Sequence, residues 1–126
     1  MSCLSTNADF RPAQYNISIW RNDTWSQVMR ITANEVPVDL TGSDVEIQVR
    51  KKPNSDTAEM TLTEANGGIT VGGVDNNQIT INYPVDIAAG TYVYDMVVLF
   101  PNGNEKTYIW GNFIAVSYTH LRAHET

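Results

Sequence analysis

The stretch from Gly90 to Val116, GTYVYDMVVLFPNGNEKTYIWGNFIAV, constrains the fold most, because it reads only as two paired strands around a tight turn. Tyr92, Tyr94, Met96, Val98 and Phe100 recur with period two, and aromatic and β-branched side chains suit a pleated, half-buried surface better than a helix. Val93, Val97 and Leu99 take the alternate positions, with Asp95 as their polar member. A strand apolar on both faces is expected in the middle of a packed sheet or at a subunit contact. In the turn PNGNEK, Pro101 ends the pairing, Asn102-Gly103 supplies positive φ at low cost, and Lys106 opens a second run through Tyr108, Trp110 and Phe113.

The rest of the chain repeats this grammar. Tyr15, Ile17 and Ile19 alternate with polar residues, Arg21 to Thr24 turns the chain, and Trp25, Gln27, Met29 and Ile31 share a face of the next strand. Pro37, Asp39 and Gly42 mark a corner. Val45, Ile47 and Val49 alternate cleanly with Glu46, Gln48 and Arg50, and shorter runs follow at Ala58 to Leu62, Ile69 to Val71 and Ile79 to Tyr83. Pro84 to Ala89 is compatible with one helical turn closed by Gly90. Turn signals at this spacing predict an all-β fold, an immunoglobulin-like antiparallel β-sandwich of seven to eight strands. Tyr92, after DIAAG, stands where such domains place a tyrosine whose hydroxyl ties the corner to nearby backbone, here near Asp86 or Ile87. Residues 15–116 form the domain, 1–14 read as a mobile or extended leader, and 117–126 break the pattern.

Composition narrows the function classes. A formal charge of −6 and a pI near 4.6 oppose a phosphate-binding surface, and Arg50, Lys51 and Lys52 alone form a basic cluster. Cys3 is the single cysteine, so the fold must stand on packing without an internal disulfide. The first residues have neither the basic nor the apolar region of a secretory signal, and no stretch approaches a membrane span. Synthesis in the cytoplasm, with neither nucleic acid nor membrane as partner, is the expectation.

No catalytic constellation is legible, and an enzyme is not expected. Asp23, Asp39, Asp75 and Asp86 fall in turns, where carboxylates commonly bond to backbone. Asp75-Asn76-Asn77 lacks the alternating ligands and terminal glutamate of a calcium loop. His120 and His124 have a helical spacing but no third ligand near, so no metal or other cofactor is expected. Asp95, among apolar neighbours, must reach water or a partner. Together with Val93, Val97 and Leu99 it makes the candidate interface. Trp20, Trp25 and Trp110 are the alternative, a stacking platform for a glycan, although packing is the ordinary use of such residues.

In order, NISIWRNDTW, VDLTGSDVEIQVR, TEANGGITV, INYP, AAGTYVYDMVV and WGNFIAV resemble a family of small phage proteins. These are β-sandwich modules of tail-fibre attachment, collar and baseplate components, which also occur in prophage structural cassettes. The resemblance spans about Tyr15 to Val116. It implies a virion structural role in the tail, by assembly with other virion proteins and with copies of itself as a ring, after synthesis in a host cytoplasm. A carbohydrate-binding or adhesin module is the other reading. Many relatives have Gly before Asp-Thr in the first turn; this chain has Asn22, which also tolerates positive φ. SYTHLRAHET, residues 117–126, resembles a translated read-through tail.

Overall fold

A computed structural model describes residues 12–116. The sequence-predicted tail and most of the leader, including Cys3, His120 and His124, lie outside the described residues. Eleven strands follow one another: β1 (Ala13–Gln14), β2 (Ile17–Trp20), β3 (Thr24–Arg30), β4 (Thr32–Ala33), β5 (Val36–Pro37), β6 (Asp44–Arg50), β7 (Met60–Thr63), β8 (Ile69–Gly72), β9 (Gln78–Pro84), β10 (Gly90–Leu99) and β11 (Glu105–Val116).

They form an immunoglobulin-like β-sandwich. One sheet has the order β1-β11-β10-β6-β7, with β2 also paired to β11; the other has the order β3-β9-β8; β4 and β5 make a separate small hairpin. β1 and β2 both run along β11, so they act as one interrupted edge strand, and the two sheets then hold eight strands. Alternation places the core. Ile47, Leu62, Met96 and Val98 from the first sheet meet Ile79 and Ile81 from the second, and all are fully buried.

The predicted hairpin is the centre of the larger sheet: β10 pairs antiparallel with β11 on one side and β6 on the other. Its turn is one residue longer than the two-residue connection that Asn-Gly alone suggests. The Gly103 amide donates to the Phe100 carbonyl (2.9 Å), the Phe100 amide donates to Asn104 (2.8 Å), and Gly103 alone takes positive φ, at 93°. That is the three-residue connection with a glycine at the bulge position. In the first turn Asn22 sits at φ 76°, a left-handed conformation that asparagine tolerates.

Four expectations change. Ala13 and Gln14, read as leader, form β1. β1 and β2 pair with β11 in parallel rather than antiparallel. Pro84 to Ala89 makes no helical turn: Pro84 ends β9, and the Val85 amide donates to Asp23 (2.9 Å), so this segment bonds across to the first turn. The Pro37 corner is a hairpin, β4–β5, whose two turn residues Asn34 and Glu35 have φ of 53° and 66°. A glutamate there carries none of the usual glycine signal.

Candidate functional site

The site's frame begins with an aromatic knot between the sheets. Trp25 on β3 is 2% exposed, and its ring stands edge-on to Tyr94 at 5.9 Å and tilted to Phe113 at 5.2 Å. In antibody domains a disulfide bridges the corresponding two strands. Here three rings fill that space. The Tyr94 hydroxyl donates to the Tyr15 carbonyl (2.5 Å), across 79 residues of chain, which fastens the link between β1 and β2 to the central strand. Burial pushes the Tyr94 phenol well above its ordinary pKa, so it stays a donor throughout the physiological range.

Gly111 makes room for that link. A Cβ there would lie 2.8 Å from the Tyr15 carbonyl carbon and 3.0 Å from Asn16 Oδ1. Around it the Tyr15 amide donates to the Trp110 carbonyl (2.9 Å), and Asn16 Oδ1 accepts from the Asn112 amide (3.0 Å), so a side chain replaces one rung of the ladder. β11 is thereby held from both sides, which fixes Trp110 and Ile114 on its outward face.

The outward face of β6, β10 and β11 carries the four residues singled out as an interface. Val93, Asp95 and Val97 are half-buried and Leu99 is 42% exposed, while Tyr92, Tyr94, Met96 and Val98 point into the core. Cross-strand rows are set by register: Arg50, Val93 and Asn112; Gln48, Asp95 and Trp110; Glu46, Val97 and Thr107; Asp44, Leu99 and Glu105. Between Ile109 and Thr107 the register slips, leaving Tyr108 as a bulge with Lys106 Nζ 5.2 Å from its ring centre. Trp110 is 42% exposed and Ile114 38% exposed on this same face.

Two shallow recesses lie on it. The first, about 170 Å³, is bounded by Gln48, Arg50, Pro53, Asp95 and Trp110. Arg50 forms its rim: Nη1 donates to the Ser55 carbonyl (2.9 Å) and Nη2 to Gln48 Oε1, so the following loop is tied to the sheet. Burial raises the Asp95 pKa, and the Arg50 charge opposes that shift only in part. The second recess, about 270 Å³, has an apolar floor of Val97 and Leu99 and an acidic rim of Asp44, Glu46, Glu64 and Glu105. No group of three or more potential metal ligands is present among the described residues.

The tryptophans do not converge. Trp25 is corrected from surface platform to core residue, because its position on β3 faces the opposite sheet. Trp20 pairs with Val116, six positions along β11 from Trp110, or about 20 Å at the rise of a strand. Tyr92 is the buried corner residue, and its hydroxyl donates to the Ala88 carbonyl (2.6 Å), next to Ile87 in the segment expected to receive it. Tyr92→Phe is expected to lower stability by about 1 kcal/mol, since it strips one hydrogen bond from a partly buried carbonyl. A urea midpoint equal to wild type would deny the corner that role.

Sequence reading missed Glu46, Glu105 and Ile114 as members of the face. Period two assigned a side to Glu46 alone of these and did not say which strands lie next to β10.

No family model matches the chain, and no curated protein does. Among solved structures it is similar to the crystal structure of CopC from Methylosinus trichosporium OB3b, with 14% identity over 82% of this chain and 85% of that one and a TM-score of 0.48. Nothing passes from CopC to this chain at that level. These findings correct the expected role: the structural similarity found is to CopC, and neither the virion role nor the carbohydrate-binding alternative is carried forward. The architecture itself is that of an immunoglobulin-like β-sandwich, with a fixed outward sheet face as its candidate functional surface.

Proposed function

We propose that this domain does no chemistry and acts by self-association, with the outward face of β6, β10 and β11 docking on a second copy. The observation that carries the reading is the gathering of Leu99, Trp110 and Ile114, all exposed, around half-buried Val93 and Val97 on one face. Folded monomers seldom leave large contiguous apolar patches in water, whereas single exposed residues such as Val28, Val36 and Val74 are ordinary. Trp110 adds the kind of rigid aromatic surface that anchors protein contacts.

Sedimentation velocity across the micromolar range tests this. The wild type is expected to associate, and Val97→Asp to weaken association at least about tenfold by placing a charge at the contact. Leu99→Asp, at a more exposed position, repeats the test where loss of fold is no concern. A wild type that stays monomeric throughout the range contradicts the reading.

A further inference from the structure

The outward face is polar in two senses at its two ends, and this bears on how a second copy sits. Along β6 the outward residues run Asp44, Glu46, Gln48, Arg50, and the chain continues into exposed Lys51 and Lys52. At the Asp44 end, β10 and β11 bring Leu99 and Glu105 alongside, and the turn after β7 adds Glu64, which completes the acidic rim around the apolar recess. At the other end stand Arg50, Lys51 and Lys52; Asp56 and Glu59, later in the same loop, offset part of that charge.

Resting on the self-association just proposed, we infer that the second copy docks antiparallel, about a two-fold axis through the middle of the face. A two-fold axis that lies in the contact plane and runs across the strands reverses the order of the rows. With the axis between the Asp95 and Val97 rows, the Arg50 row of one copy lies over the Leu99 row of the other. The Lys51–Lys52 end then meets the acidic recess, twice per dimer, and Val93 faces Leu99 across the contact. A copy docked in the same direction would instead set acid against acid and base against base, which costs rather than contributes. A contact of this symmetry is self-complementary and closes at two copies, so it yields a dimer and not a ring or filament. The face measures on the order of 20 by 25 Å from strand spacing and rise, toward the small end of specific interfaces. Its opposed charges therefore set orientation more than strength.

The test uses two charge-reversed chains. Asp44→Lys with Glu46→Lys and Glu105→Lys leaves Glu64 as the rim's one carboxylate and makes both ends basic, and Lys51→Glu with Lys52→Glu makes both ends acidic; all five sites are exposed, so the fold is unaffected. Under the two-fold arrangement each variant alone loses self-association by at least about tenfold, while an equimolar mixture forms a one-to-one heterodimer as tight as wild type. That pairing should weaken as salt rises from about 0.05 to 0.5 M, through screening of the end contacts. If the wild type dimerises but the variants dimerise equally well alone, or their mixture fails to pair, the antiparallel arrangement is wrong while self-association stands. If the wild type itself stays monomeric, both fall.

Discussion

Gly111→Ala is expected to lower stability by about 3 kcal/mol, combining overpacking with the loss of a partly buried hydrogen bond. The added methyl would enter the space of the Tyr15 carbonyl, which is backbone and cannot swing aside as a long side chain does. Relief requires lifting the β1–β2 link off β11. That movement withdraws the acceptor of the Tyr94 hydroxyl and the Asn16 bond to the Asn112 amide. Gly72→Ala is the control, because a Cβ there meets nothing within 4 Å and the residue has no positive φ. A urea midpoint for Gly111→Ala close to that of Gly72→Ala would show that the N-terminal strap is not held as described.

Trp25→Ala should cost about 4 kcal/mol, within the range found for removing a large aromatic side chain from a core. The ring fills the gap between the sheets where no disulfide is available, and it contacts both Tyr94 and Phe113. Its indole N–H also donates to Gln27 Oε1 (3.0 Å), so truncation leaves that amide without its partner as well. Trp25→Phe keeps an aromatic surface and should recover about half of the loss. The comparison with Trp110→Ala is sharper still. Trp110 lies on the exposed face, and its removal should leave the denaturation midpoint nearly unchanged while weakening association. Equal destabilisation by the two alanine substitutions would contradict the assignment of one tryptophan to the core and the other to the surface.

Much of this architecture is legible in the residues. Period two in β6 and β10 sorts inward from outward side chains without error, because both strands are central and one face of each is fully buried. The Tyr92 corner is legible too, since a tyrosine after a turn at the start of a sheet-centre strand has a specific backbone job. What failed has physical causes. In β11 the run Tyr108, Trp110 and Phe113 mixes both faces, because Trp110 and Phe113 are three residues apart and a bulge at Tyr108 breaks the alternation before them. Trp25 and Trp20 flank the same turn and look equivalent in sequence, yet Trp25 takes an inward position on β3, whereas on β2 it is Ile17 and Ile19 that pack against the core and Trp20 alternates to the other side.

The parallel pairing of β1 and β2 with β11 was invisible for a different reason. It joins residues about a hundred positions apart, and its strongest fastening is a tyrosine hydroxyl on a carbonyl, which no local pattern encodes. Gly111 is the one local trace: a glycine amid aromatic and β-branched residues implies close approach by another backbone. The candidate face was half legible. Four of its residues follow from β10 alone, but its charge asymmetry depends on β6 and β11 being the neighbours.

Hydroxyl-radical footprinting of the wild type, below and above the concentration at which it associates, tests most directly whether this face is the contact. Side-chain oxidation is expected to fall on association at Leu99, Trp110 and Ile114, and to stay constant at Val28, Val36 and Val74, which are exposed elsewhere on the domain. Unchanged oxidation of Trp110 and Leu99 in an associated sample, or protection centred on Val28, would place the contact on another surface and contradict the account.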